Sequence, residues 1–246
     1  MRKLAVILAV AFALGAPAHH ALTGWGLSAG EFASDGNTTL RAAGYAFSIW
    51  GLIYAGLVGY AIYQALPRNA ENPRLAALGW PAAAAIAGCG AWIVASALDL
   101  KWLTVVIISA SAATLTWALC RQARAAEGAS VGERLLAWWP LGLLAGWLTI
   151  ASAINLLTVL TAQGLLQPES ATLAAIAGVA AVTGVAAWML RATRLTAYAA
   201  PIAWGLVAVW VAERAGKPVV GGAALAGAIA VAVLALWAAR PSAARR

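Results

Sequence analysis

"LLAWWPLGLLAGWLTIASAINLLTVLT", residues 135–161, runs for 27 positions without an Asp, Glu, Lys or Arg. About 20 apolar residues in a helix cross roughly 30 Å of hydrocarbon, so this stretch reads as a membrane span. It lacks the polar/apolar alternation of a barrel strand. In lipid a segment must satisfy its own backbone, and a helix does so.

Seven further apolar runs flank it, at about 4–22, 44–66, 75–97, 102–120, 170–190, 195–213 and 218–239. Short connections make neighbouring helices antiparallel. The expected fold is all-α, a polytopic transmembrane bundle of about eight helices. Of the 246 residues 63% are hydrophobic and 10% charged, against about 25% charged in soluble domains. This excludes a water-soluble enzyme and a disordered chain.

The net charge of +8 is spread over the connections rather than gathered in a patch, which rejects a nucleic-acid partner. With the N-terminus cytoplasmic, 12 of the 16 Lys and Arg residues fall inside and four (Arg41, Lys101, Arg214, Lys217) outside. That asymmetry predicts both termini of a multi-pass protein in the cytoplasm; the membrane expected is the bacterial inner (plasma) membrane. "MRKLAVILAVAFALGAPAHH" also fits a signal peptide cut near Ala16–Ala18, so residues 1–18 are either a retained helix or a leader.

Conventional catalysis has little support. There is no HExxH pair, no Gly-rich phosphate loop and no assembled Ser, His and Asp set, and the chain is expected not to be an enzyme. Cys89 and Cys120 lie within apolar runs and read as small buried hydrophobes, with no metal-ligand spacing. The adjacent His19 and His20 project about 100° apart on a helix and cannot chelate on one face. Asp99 and Lys101 mark a short outer turn, either a solvated turn with an ion pair or a polar gate beside a pocket.

Of 13 Trp residues, nine (Trp25, Trp80, Trp102, Trp117, Trp138, Trp139, Trp188, Trp210, Trp237) fall near span ends, where an indole anchors in the headgroup region. Trp50, Trp92, Trp147 and Trp204 lie deeper. Phe47, Trp50, Tyr54 and Leu57 form an aromatic stripe along the second span, either core filling or a ligand surface. Beside it Gly51, Ala55 and Gly59 form a small-residue stripe that would admit another helix. In the fifth span Trp147, Ala151, Asn155 and Thr158 share one arc. An amide in hydrocarbon must find a partner, so Asn155 is a cross-helix tie or a pocket-lining group. By depth, Trp50, Tyr54, Trp92 and Asn155 fall in the outer half and Trp147 near the midplane. Above them lies the outer loop Thr23–Ala43, which gives a candidate cavity suited to a flat, apolar ligand.

"IWGLIY" (Ile49–Tyr54) followed by "GYAIY" (Gly59–Tyr63) resembles the second helix of the TspO/translocator protein family, the tryptophan-rich sensory proteins. "GWLTIASAIN" (Gly146–Asn155) is similar to that family's fifth helix, and Trp92 to the last Trp of its third-helix N-W-A-W pattern. The resemblance covers residues 1–161 as a five-helix domain and favours a retained first helix; residues 162–246 form an additional three-helix region without counterpart in five-helix members. It implies a ligand site at Phe47, Trp50, Tyr54, Trp92, Trp147, Ala151 and Asn155 that binds a tetrapyrrole such as protoporphyrin, a haem-like compound, or a sterol-like lipid. Transport or sensing is an associated role, no cofactor is required, and a homodimer stays open. Porphyrin oxidation with Trp as redox partner has weak support.

The chain departs from the family's pattern in three places. The first loop has no Pro, Cys89 stands where Asn is usual, and Pro140 lies seven residues before Trp147. A small-solute transporter and a ligand-free regulatory or structural subunit are the rival readings.

Overall fold

The computed structural model describes residues 1–126 and 128–240; Arg245 and Arg246, counted above among the inner-side charges, lie outside the described residues. Eight helices among them are long and apolar enough to span a membrane. They are α1 (Arg2–Thr23), α2 (Ile49–Ala65), α3 (Pro73–Ala97), α4 (Lys101–Arg121), α5 (Trp139–Ala162), α6 (Pro168–Thr193), α7 (Thr196–Glu213) and α8 (Pro218–Ala239). A 3₁₀ stretch, Gly44–Ser48, leads into α2, and a π turn, Arg134–Trp138, leads into α5. No strand occurs among the described residues. The bundle is all-α and polytopic, as the apolar runs require.

Pro73, Pro168 and Pro218 stand at the first turns of α3, α6 and α8, where the missing N–H costs nothing. Asn72 caps α3, its Oδ1 accepting from the Arg74 and Leu75 N–H groups at 3.0 and 3.3 Å. The turn between α3 and α4 reverses the chain at Asp99, held at φ 54°, a conformation that Asp tolerates better than most residues.

The central helix is α5, which touches α2, α4, α6 and α7. Its contact with α7 depends on small residues: a Cβ on Gly146 would strike the Tyr198 carbonyl oxygen and come within 2.8 Å of Pro201 Cγ. The Tyr198 hydroxyl then meets Thr149 at 2.6 Å and Thr116 at 3.4 Å, joining α7 to α5 and α4. On the other side α1 packs on α3 and α2, with Lys3 Nζ donating to the Ala65 carbonyl at 3.2 Å.

Two expectations need correction. The Gly51, Ala55 and Gly59 stripe does not seat a helix along its length: Gly51 and Ala55 are exposed, with open space around Gly51. The close approach falls one position round the helix, where a Cβ on Gly56 would sit 3.1 Å from Pro140, because the Pro140 ring at the first turn of α5 faces that side. Of the nine span-end Trp residues seven are exposed as anchors should be, whereas Trp210 is half-buried and Trp138 buried. Trp138 is pulled inward because its indole donates at 3.2 Å to Glu133, a carboxylate 1% exposed. Arg74 completes that site with bonds of 2.7 and 2.9 Å, and Asn72 adds a fourth at 2.9 Å, so the buried charge is fully partnered.

Replacing Gly146 by Ala should lower the stability of the purified protein by about 1–3 kcal/mol, the usual cost of overpacking. Gly51→Ala adds a methyl to open space and should leave the thermal midpoint unchanged or higher. Equal losses in the two variants would contradict the α5–α7 packing described.

Candidate functional site

A cavity of about 380 Å³ lies in one half of the bundle, walled by α1 to α5 and covered on one side by residues 29–46. All seven residues singled out in the sequence line it: Phe47, Trp50 and Tyr54 from the α2 side, Trp92 from α3, and Trp147, Ala151 and Asn155 from α5. Helical spacing explains the grouping, since each set recurs every three or four residues and so shares a face.

The rings form a connected set. Trp50 stacks on Tyr54 with centroids 5.0 Å apart and meets Trp147 edge-on at 6.3 Å; Phe47 meets Trp147 edge-on at 6.5 Å. These are the offset and T-shaped geometries that aromatic quadrupoles favour. The indole N–H groups of Trp50 and Trp147 and the hydroxyl of Tyr54 have no hydrogen-bond partner among the described residues. Trp92 is different. Its indole donates to Asn155 Oδ1 at 3.2 Å, and Asn155 Nδ2 donates to Thr104 Oγ1 at 3.0 Å. The Thr104 hydroxyl in turn donates to the Lys101 carbonyl at 2.6 Å. Asn155 is therefore both of the things left open for it: it ties α3, α4 and α5 together, and it lines the cavity.

In the sequence the roof reads as a loop. It holds a short helix, Ala29–Ser34, with a capping box in which Ser28 Oγ accepts from the Glu31 N–H at 3.1 Å and Glu31 accepts from the Ser28 N–H at 2.7 Å. The S-x-x-E signature at Ser28–Glu31 is the signal that reveals it. The bond from the Ser28 backbone N–H, then that from its side chain, holds the Glu31 carboxyl below the usual carboxylate range. The carboxylate half of the cap is thus complete above the ordinary carboxylate pKa and is lost as pH falls through the lowered value, while the Ser28 Oγ half does not titrate.

The roof helix turns Phe32 down onto the edge of Trp92, with centroids 5.8 Å apart. Lys101 Nζ lies 5.5 Å from the centre of the Phe32 ring and pairs with Asp35 at 2.8 Å and with Asp99. The short outer turn is a solvated corner that carries an ion pair, and Lys101 also ties it to the roof through Asp35. Behind it Gly36 lies so close to α5 that a Cβ would come within 2.8 Å of Thr158 Cα. Phe32, Leu40, Cys89, Ile108 and Ser111 also line the cavity. Sequence patterning does not mark Phe32, Leu40, Ile108 and Ser111, because each is an ordinary apolar or small residue, and it marks Cys89 only as standing where the family has Asn.

Eight apolar helices, the first five of them around a ring-lined cavity, define the class: an integral, multi-pass membrane helix bundle. Within that class, the family model described as TSPO-like protein matches residues 3–237, and the chain belongs to this family. The matched stretch crosses residue 161 and reaches into α8. No curated protein and no solved structure matches the chain.

Asn155→Leu leaves the Trp92 N–H without its acceptor and should cost about 1–3 kcal/mol. A double-mutant cycle of Asn155→Leu with Trp92→Phe, read by thermal or denaturant unfolding, should show coupling of at least about 0.5 kcal/mol. Strict additivity would contradict the tie.

Proposed function

We propose that this TSPO-like membrane protein binds a flat, largely apolar molecule in the ring-lined cavity, a tetrapyrrole such as protoporphyrin or a sterol-like lipid, for storage, transport or sensing. One observation carries the reading: rings from α2, α3 and α5 line a void of about 380 Å³ while two indole N–H groups and a phenol beside it have no partner among the described residues. The volume falls in the range of small-molecule sites, which are mostly apolar with a few polar groups that fix orientation. Offset stacking adds roughly 0.5–1.5 kcal/mol per aromatic contact beyond area burial. Trp50, Tyr54 and Trp147 would supply those contacts and Ala151 the clearance beside them. Binding of this kind requires no turnover.

The distribution of Lys and Arg, 12 to 4 between the two faces, orients the roof outward and both termini inward in a bacterial inner membrane. The guest would then sit in the outer half of the bilayer, close to the roof.

Protoporphyrin titrated into the detergent-solubilised protein should quench Trp fluorescence saturably in the micromolar range. Trp147→Ala should weaken the apparent affinity about tenfold, the equivalent of about 1.4 kcal/mol. Trp80→Ala, at an exposed position on α3, should not. Quenching that never saturates, or that Trp147→Ala leaves unchanged, would overturn the tetrapyrrole reading.

A further inference from the structure

The roof segment from Asn37 to Ala46 lies outside the roof helix, and its backbone finds many of its partners on helices that do not line the cavity. Lys217 Nζ donates to the carbonyl oxygens of Asn37 at 2.9 Å and Thr39 at 3.2 Å. The Arg41 N–H donates to Glu213 Oε1 at 2.9 Å, and the Ala43 N–H to the Ala208 carbonyl at 3.0 Å. The Trp204 indole donates to the Ala46 carbonyl at 3.1 Å. Every one of these outside partners belongs to α7 or to the turn into α8, whereas the cavity lining runs only from Pro17 to Thr158.

Glu213 is the hub. It is the last residue of α7 and 1% exposed, and a carboxylate there opposes the helix dipole unless cations answer it. Two do: Lys217 at 3.4 Å and Arg41 at 3.8 Å. Arg41 also donates through Nη2 to the Ala212 carbonyl at 2.8 Å. One buried charge therefore holds a cation of the roof and a cation of the turn together. The Lys101 to Asp35 pair fastens the opposite edge of the roof to α4.

We infer that the α7–α8 turn is the closure element of the cavity, with Glu213 and Lys217 as positioning residues that hold the roof down. Releasing them opens the chamber to water on the roof side while the bundle of eight helices stays folded. The last three helices then control how long a guest remains. That consequence rests on the proposed ligand site; the closure itself needs no ligand.

The test uses the chain's own thiol, since Cys89 lines the cavity and is buried. In full-length protein carrying Cys120→Ser, reconstituted in vesicles, a charged, water-soluble methanethiosulfonate reagent should modify Cys89 slowly. Glu213→Gln and Lys217→Met should each raise the rate about tenfold or more, the factor expected for one lost charge-assisted hydrogen bond. Lys217→Arg should stay near the parental rate. Hydrogen exchange supplies the second readout: the Arg41 and Ala43 amides should exchange faster in the two releasing variants while α5 amides keep their protection. An unchanged Cys89 rate in both variants overturns the inference, as does loss of α5 protection in step with the roof. Faster protoporphyrin release in the same variants would extend closure to guest lifetime. If protoporphyrin does not bind, the thiol and exchange measurements still decide the closure.

Discussion

Hydrocarbon offers no hydrogen-bond partner, and that constraint governs the buried carboxylates and the buried Asn155 amide of this bundle. An unpaired amide or charge there costs several kcal/mol, so each must be matched by another side chain or by a helix end. Three buried groups show the consequence. Glu133 gathers Arg74, Asn72 and Trp138 where α3 and α5 begin. Asn155 joins Trp92 to Thr104 beside the cavity, and Glu213 joins Arg41 to Lys217 above it. The apolar surface has no preferred register against lipid, and these ties fix it.

A cavity survives because the ties hold its walls apart. Trp92 is fixed by Asn155 and Phe32, and Trp147 by the edges of Trp50 and Phe47, so the rings define a space that they do not fill. Close α5–α7 contact at Gly146 anchors the wall from behind. The helices beyond residue 161 thus act on the chamber twice, as a backing for α5 and as the fastening of the roof. The family match extends over all eight helices, from residue 3 to residue 237.

Much of this was legible in the sequence, for reasons that differ residue by residue. The spans follow from uncharged runs long enough to cross a bilayer, a signal that tertiary contacts cannot override. The seven cavity residues follow from helical periodicity combined with depth, since antiparallel spans bring positions of equal height together. What periodicity does not encode is rotation about the helix axis. For that reason the small-residue stripe at Gly51 reads as a packing face although Gly56 makes the contact, and Trp138 reads as a headgroup anchor although Glu133 draws it inward. The roof was least legible. Its order comes from bonds such as Lys217 to Asn37, whose partners stand 180 residues apart and carry no local pattern.

The central claim is that the ring-lined space receives a guest, and the most direct measurement is native mass spectrometry of the protein purified from its membrane without added ligand. The account predicts one hydrophobic, non-phospholipid molecule retained at a fixed stoichiometry and lost when Trp50 and Trp147 are both replaced by Leu. Bare protein, or an identical set of lipid adducts before and after that replacement, would contradict it.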